Sequence, residues 1–350
     1  MYQTSELVAQ RIESYCRTWR LWIENAEGVI SGDSIMSADS SMQATSLSDD
    51  IELGAVCSQS WNMTISDTET AFLGKEYDTY LYLVDYETNG ILADEKIPMG
   101  RFTCVKSKKS GGSVQLTMAD RLYFSDKPYV PHIPMPNWNK AVEDDICRQL
   151  GLQNGNDYTE VRLLRDKNGR RLIDKNGKVL YSKYFYFKVS SVPKDVTMRQ
   201  MLSYLASAQG QFGYVDRYGK YVRKWYGKPV KTLDNNTIDL PTLSERQNVI
   251  VGIICKVSDD VTLSLGVTDT TQGRVLEFEN PYMTESLLQS WYTTELYYRL
   301  GDPRFDIGDV VTYTNGTDSY DIPITNLGFT FDGGLSADIS AVGLSVEEQL

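Results

Sequence analysis

Any chemistry in this chain would have to run on carboxylates. The 350 residues include a single histidine, and imidazole is the commonest general base near neutral pH and the commonest transition-metal ligand. His132 lies in VPHIPMP, a proline-rich connector, where a structural role is the plainer reading. The five cysteines (Cys16, Cys57, Cys104, Cys147 and Cys255) are odd in number, scattered and never in a CxxC pair. Neither a disulfide framework nor a zinc site is indicated, and reduced, mostly buried thiols are expected. What remains are pairs of acids such as Asp85 with Glu87 or Asp306 with Asp309. Two carboxylates across a sugar cleft suffice for glycoside hydrolysis. With 47 Asp and Glu residues, however, such pairs arise freely. Asp306 and Asp309 also flank Gly308, where turn hydrogen bonds explain them without any reaction. The runs at 48–50 (Ser-Asp-Asp) and 234–236 (Asp-Asn-Asn) offer hard oxygen ligands for calcium, but neither has the spacing of an EF-hand loop and ordinary turns account for both.

The usual sequence signatures are missing. No G-x-G-x-x-G opens a helix after a strand, and there is no GK[ST] phosphate loop, HExxH or G-x-S-x-G. Thirty-five Lys and Arg against 47 Asp and Glu leave a net charge of −12, the wrong sign for gripping phosphate backbones. No apolar run reaches the roughly 18 residues of a membrane span, and the first residues lack the layout of a secretory signal. The chain is therefore expected to be made and assembled in a cytoplasm, without a membrane anchor and without a cofactor. Twenty-three tyrosines favour strands and protein or sugar surfaces, because Tyr joins an apolar ring to a polar tip.

The elements that would position these residues read as mainly β with an α+β insertion. Residues 1–13 form an arm, with Leu7, Val8 and Ile12 at near-helical spacing, too short to stand alone and expected to dock on a neighbour. Residues 14–127 alternate apolar and polar in TWRLWIEN, SWNMTISD and TYLYLVDYE. They end in a hairpin whose arms carry Phe102, Cys104, Val114, Leu116 and Met118 around SKKSGGS, and the whole reads as a first β-barrel domain. Four prolines at 128, 131, 134 and 136 mark a boundary. Residues 128–235 read as an α/β module. Its first helix places Trp138, Val142, Ile146 and Leu150 on one face and Glu143, Asp144 and Arg148 on a solvated face, and ends at Gly151. Its second helix starts at a capping box of Thr197 and Gln200, with Val196 and Met201 as a staple. Between the helices, RDKNGRRLI and DKNGKVLY echo each other around Asn-Gly turns. This protruding ribbon holds the densest basic patch, including Arg165, Lys167, Arg170, Arg171, Lys175 and Lys178, a candidate contact for an acidic partner or else a solvated hairpin tip. After a linker, KPVKTLDNNTIDLP, residues 236–350 read as a second β-barrel domain with one helix, TESLLQSWYTTELYYRL, carrying Leu288, Trp291, Tyr292 and Leu296.

The order of these segments resembles the baseplate hub, or tail-tip hub, proteins of bacterial viruses and related contractile injection particles. IELGAVCSQSWNMTISD (51–67) resembles the first-domain strand pair of hubs from phages of Gram-positive hosts. The stretch 97–129 is similar to that family's hairpin, closing strand with an aspartate, and connector. The helix before Leu152, the helix-containing segment VTMRQMLSYLASAQGQFGYVDRYGK (196–220), ENPYMT (279–284) and the motifs GDP, IGDVV, IPIT and FDGG between 301 and 334 follow in the family's order. The match covers about residues 15 to 345, with a shorter segment than usual, about twenty residues, between NPYM and GDP.

The resemblance implies a non-enzymatic structural hub of a tail tip or baseplate. Two tube-like barrels per subunit would give a homotrimer six similar modules, adapting a sixfold tail tube to a threefold tip and forming the channel for tape measure and DNA. Its implied partners are the distal tail or tail-tube ring, the tape measure protein, and a spike, fibre or receptor-binding tip protein. DNA would pass the lumen without specific binding, since an acidic wall repels it. The central module would face outward, its basic ribbon touching other tip proteins. Two other classes stay open on the residues alone: a cell-wall carbohydrate-recognition protein, from the Trp and Tyr content, and a peptidoglycan-active glycosidase using an acidic pair.

Overall fold

The computed structural model describes residues 1–43, 51, 53–66, 70–158, 161–163, 181–183, 187–239, 241–258, 261–278, 287–288 and 290–342. Among them the chain is mainly β, with three α-helices. The first, α1 (Glu6–Ile12), is capped by Ser5, whose hydroxyl accepts from the Val8 amide. Seven residues are too few to hold a helix in water. The helix is held by burial of Val8 and Ile12, and the arm finds its neighbour within the same chain. The Tyr2 amide donates to the Arg304 carbonyl at 2.7 Å and the Ser5 amide to the Glu95 carboxylate at 3.0 Å.

Eight strands follow: β1 (Trp19–Asn25), β2 (Gly28–Ser31), β3 (Ile35–Gln43), β4 (Val56–Cys57), β5 (Gln59–Ile65), β6 (Glu76–Leu83), β7 (Ile97–Ser110) and β8 (Ser113–Ala119). The alternation expected for half-buried strands is present. Trp19, Leu21 and Ile23 on β1, Trp61, Met63 and Ile65 on β5, and Val114, Leu116 and Met118 on β8 all point into the core. The β7–β8 hairpin turns through Gly111 and Gly112, both with positive φ, a conformation that costs residues with a Cβ. β3 lies in a Ser- and Asp-rich stretch, IMSADSSMQ, outside the alternating segments from which the strands were expected. Its Ala38, Ser40 and Met42 face inward while Met36, Asp39 and Ser41 face out.

The middle segment holds β9 (Asn137–Trp138), α2 (Asn139–Leu150), β10 (Gln153–Asn154), β11 (Val161–Leu163), β12 (Tyr181–Lys183), β13 (Lys188–Val189), α3 (Met198–Ser207), β14 (Phe212–Val215) and β15 (Lys220–Lys224). Its own apolar cluster gathers Val142, Ile146 and Leu150 of α2 with Met201, Leu202 and Leu205 of α3. Gly151 adopts the left-handed conformation and ends α2, and the Thr197–Gln200 capping box is complete. Trp138 departs from expectation: it is the N-cap of α2 and 47% exposed rather than part of the buried stripe. The module is stitched to the preceding segment, since β4 adds in parallel to β14 in a four-stranded sheet ordered β10-β15-β14-β4.

The remaining strands are β16 (Pro229–Asp234), β17 (Thr242–Ser258), β18 (Val261–Gly266), β19 (Arg274–Phe278), β20 (Ser290–Tyr298), β21 (Val310–Thr314), β22 (Ser319–Pro323), β23 (Asn326–Phe331) and β24 (Leu335–Ala341). Two expectations fail here. The linker contains β16, which pairs in parallel with β21. Of the expected helix, the described residues 290–298 are strand β20, and Leu287 and Leu288, also described, lie in no α-helix. Helical spacing at Trp291 and Leu296 gave way to the two-residue alternation of Thr294, Leu296 and Tyr298, all buried, on a segment rich in the aromatic and β-branched residues that favour strands.

One large sheet joins the two β stretches in the order β18-β17-β20-β24-β23-β3-β5-β8-β7-β6-β1-β2, with β19 beside β17. It contains a repeat. In both β3-β5-β8-β7 and β17-β20-β24-β23 the first strand in sequence lies beside the second, then the fourth, then the third. The two runs meet where β23 pairs antiparallel with β3, from Asn326 opposite Gln43 to Phe331 opposite Ala38. The expected pair of closed barrels is therefore replaced by open sheets. Each run uses an edge strand to join the other, so among the described residues no pairing closes either one upon itself.

Candidate interaction surface

The acids nominated by sequence are held by turns. The Asp85 carboxylate accepts from the Glu87 amide and the Thr88 hydroxyl, and these two bonds lower its pKa. Asp309 accepts from the Asp306 amide at 2.9 Å across Gly308, whose φ is +79° and where a Cβ would meet Phe212 at 2.5 Å. Asp306 itself pairs with Arg217 at 3.0 Å. Asp234 accepts from the amide and side chain of Asn236 and from the Thr237 hydroxyl, an Asx turn. The acids at 48–50 lie outside the described residues. Among the described residues no group of three His, Cys, Asp or Glu side chains could hold a metal ion. His132 is exposed in its connector and its amide donates to Asp145. Cys57, Cys104 and Cys147 are buried free thiols whose pKa burial pushes up, while Cys16 is exposed. The Cys255 side chain lies outside the described residues.

Sequence reading missed the buried ionic groups that lock the segments together. Glu143, assigned to a solvated face, is fully buried and pairs with Arg223 of β15 at 2.8 Å. Burial nevertheless holds its carboxyl above the usual range. Asp302 is buried between Arg304 at 2.8 Å and Lys231 of β16 at 3.0 Å. There the cost of burial is outweighed by the two cations, and its pKa falls. Glu13 of the arm reaches the same pair, at 3.0 Å from Lys231 and 3.2 Å from Arg304. Apart from Asp302 and Arg304, two residues apart, acid and base here are 71 to 291 residues apart, so no local pattern could have joined them.

The long sheet presents a continuous outer face. Paired residues share a face, so the register defines rows. Ser336, Thr330, Asp39, Asn62, Thr117 and Lys106 form one row across six strands. Tyr297, Asp338, Gly328, Ser41 and Ser60 form the next. Within the first row Asn62 donates to Asp39 at 3.0 Å and Thr117 to Asn62 at 3.1 Å. Between Lys106 and Tyr297 at its ends these rows are polar and built of short side chains, while the opposite face carries Met42, Trp61, Met118, Phe329 and Ile339 into the core. Over the β3–β23 joint the outer face sinks into a groove of about 500 Å³ lined by Ser41, Asn326, Ser340 and the acids Asp239, Glu295 and Asp338. Such a surface has few cations to hold a polyanion and several acids to repel it. Of the basic ribbon, only the paired base is described, Val161–Leu163 against Tyr181–Lys183. Arg165, Lys167, Arg170, Arg171, Lys175 and Lys178 lie outside the described residues.

No family model matches the sequence, and no curated protein matches it. Solved structures do. A 43 kDa tail protein of prophage MuSo2 from Shewanella oneidensis superposes with a TM-score of 0.50 at 13% identity, over 93% of this chain and 96% of its own. The tail protein from Neisseria meningitidis MC58 gives 0.52 at 11% identity, over 92% and 96%. Prophage tail protein gp18 from Listeria monocytogenes EGD-e gives 0.50 at 11%, over 93% and 96%. Over nearly its whole length, the chain shares the fold of these solved tail proteins, two of them from prophages.

Proposed function

We propose that this protein is a structural, non-enzymatic hub of a phage tail tip or baseplate, a trimeric ring that adapts a sixfold tail tube to a threefold tip. The observation that carries the reading is the repeated strand order within one sheet. A chain holding two equivalent four-stranded units side by side supplies six from three copies, which is the arithmetic a sixfold-to-threefold adaptor needs. The polar outer face suits the wall of a channel through which tape measure and DNA slide without sticking, and the fold likeness to tail proteins supports the setting. The central module, whose sequence carries the basic residues between 165 and 178, is the contact for a spike, fibre or receptor-binding protein. The distal tube ring meets the hub from the other side. The test is absolute mass by light scattering across a concentration series, with imaging of the dominant species. A particle of three times the 39.6 kDa chain mass with a central opening is expected. A strict monomer that binds cell-wall glycans by itself would replace this reading with a recognition module.

A further inference from the structure

The loop between β6 and β7 is held against the preference of its own backbone. Three of its residues other than glycine have positive φ: Asn89 at +53°, Ala93 at +56° and Asp94 at +53°. Asn and Asp tolerate the left-handed region because their short polar side chains bond locally, whereas an alanine there carries the full steric cost of its Cβ. Ala93 is exposed, so no packing of its own methyl group rewards the conformation. Strain of this kind persists only where the surroundings over-determine the chain.

Four holds do so here. The Asp85 amide bonds the Gly90 carbonyl at 2.9 Å, and a bridge between Val84 and Ile91 closes the stem of the loop. Leu92, next to the strained pair, is 5% exposed and belongs to the core. Beyond the pair, the Lys96 ammonium lies 4.3 Å from the ring centre of Trp22 and 4.7 Å from that of Tyr80, and 3.2 Å from the Glu24 carboxylate. Trp22 and Tyr80 stand opposite each other on β1 and β6, and two rings with a carboxylate make a well-satisfied seat for a cation. The arm supplies the fourth hold. Its Ser5 amide donates to both Glu95 oxygens, at 3.0 and 3.2 Å, and its Arg11 guanidinium lies 5.1 Å over the Tyr86 ring.

We infer that the arm is a strap that keeps this loop wound: while it is seated, Ala93 stays left-handed and Lys96 stays on its aromatic seat, and when it leaves, the loop relaxes and Lys96 withdraws. Glu95 is the one residue between the left-handed pair and Lys96, so its bond to the Ser5 amide couples the arm to both. The Ser5 and Arg11 contacts lie at the surface, where each is worth little, and a neighbour competing for the arm's position can undo them. Release uncovers Trp22 and Tyr80 beside Glu24, a set of groups suited to a lysine or arginine of another protein. The strap thereby ties the opening of that cation seat to the position of the arm.

The test is a double-mutant cycle in the full chain. Ala93→Gly removes the cost of the left-handed turn and, allowing for the freer unfolded glycine, should raise the folded-to-unfolded ratio roughly threefold. In a released background, Glu95→Ala with Arg11→Ala, the same substitution should change it little, because the loop has already relaxed. Hydrogen exchange reads the native state directly. The Asp94 amide, bonded to the Ile91 carbonyl at 3.2 Å, should exchange about tenfold faster in the released variant than in the wild type, and Glu95→Gln, which keeps the size of the side chain, should lie between. Equal stabilisation by Ala93→Gly in both backgrounds, with Asp94 exchange unchanged, would overturn the strap and leave the turn to Leu92 and Lys96 alone. A neutral or destabilising Ala93→Gly in the wild type would remove the strain on which the inference stands.

Discussion

Asp120 shows how one residue can be both structurally necessary and costly. It ends β8, and its carboxylate accepts from the Ser58 hydroxyl at 2.8 Å, the Gln59 amide at 2.7 Å and the Leu122 amide at 2.9 Å. These bonds tie the start of β5 to the turn leaving the hairpin. Burial pushes its pKa up to about 6, and the donors keep it from rising further. An unfolded aspartate titrates near 3.9, so the folded protein holds this proton more tightly than the unfolded chain does. The stability this contributes is fully present below about pH 4 and is lost as pH rises through 6, amounting to roughly 3 kcal/mol at about 1.4 kcal/mol per unit. Asp120→Asn cannot titrate. Urea unfolding of both proteins between pH 4 and 7 should show the wild type losing stability relative to the variant across that window. Parallel profiles would mean that Asp120 stays ionised throughout.

At the scale of elements, the helices were legible because their signals are local. The Thr197–Gln200 box and Gly151 act on backbone groups within four residues, so sequence alone locates them. The Thr197 hydroxyl accepts from the Gln200 amide at 3.1 Å and the Gln200 side chain accepts from the Thr197 amide at 2.9 Å. Thr197→Ala should therefore cost about 1 kcal/mol, within the usual range of about 0.5 to 2 for a lost cap. The expected reading is a lower urea midpoint at unchanged slope, whereas an unchanged midpoint would mean that packing of Met201 and Leu205 alone fixes the helix start. The strands that decide the architecture were harder to see. β3 is Ser- and Asp-rich, and its pairing with β23 is what gives these residues a sheet to belong to; β-propensity depends on such context. β16 hid in a stretch that composition marks as a linker, because a parallel partner 80 or more residues away leaves no local trace. The closed barrels failed for a related reason. Alternation reports which face of a strand is buried but not which edge meets which.

On the scale of the whole molecule, the arm acts as a clasp between the two β stretches. Its Ser5 amide binds Glu95, which precedes β7, while its Tyr2 amide binds Arg304 and its Glu13 carboxylate binds Lys231 of β16. Val8 and Ile12, at 2% and 0% exposure, fill the core below. Burying two such side chains stabilises by about 3 to 6 kcal/mol before the ordering of the arm is charged against it, so the clasp is a substantial part of a stability of ordinary size. Removing residues 1–13 should leave Asp302 still paired with Lys231 and Arg304, so the second β stretch should keep its fold. The first stretch loses both the apolar cover and the tether, and is left with the β23–β3 joint, the β4–β14 pair and contacts such as Arg17 to the Gly301 carbonyl and Arg217 to the Pro98 carbonyl. Calorimetry of the truncated chain should show the single transition of the full-length protein lowered and broadened, or split in two. An unshifted single transition would mean that the sheet joint alone makes the molecule cooperative.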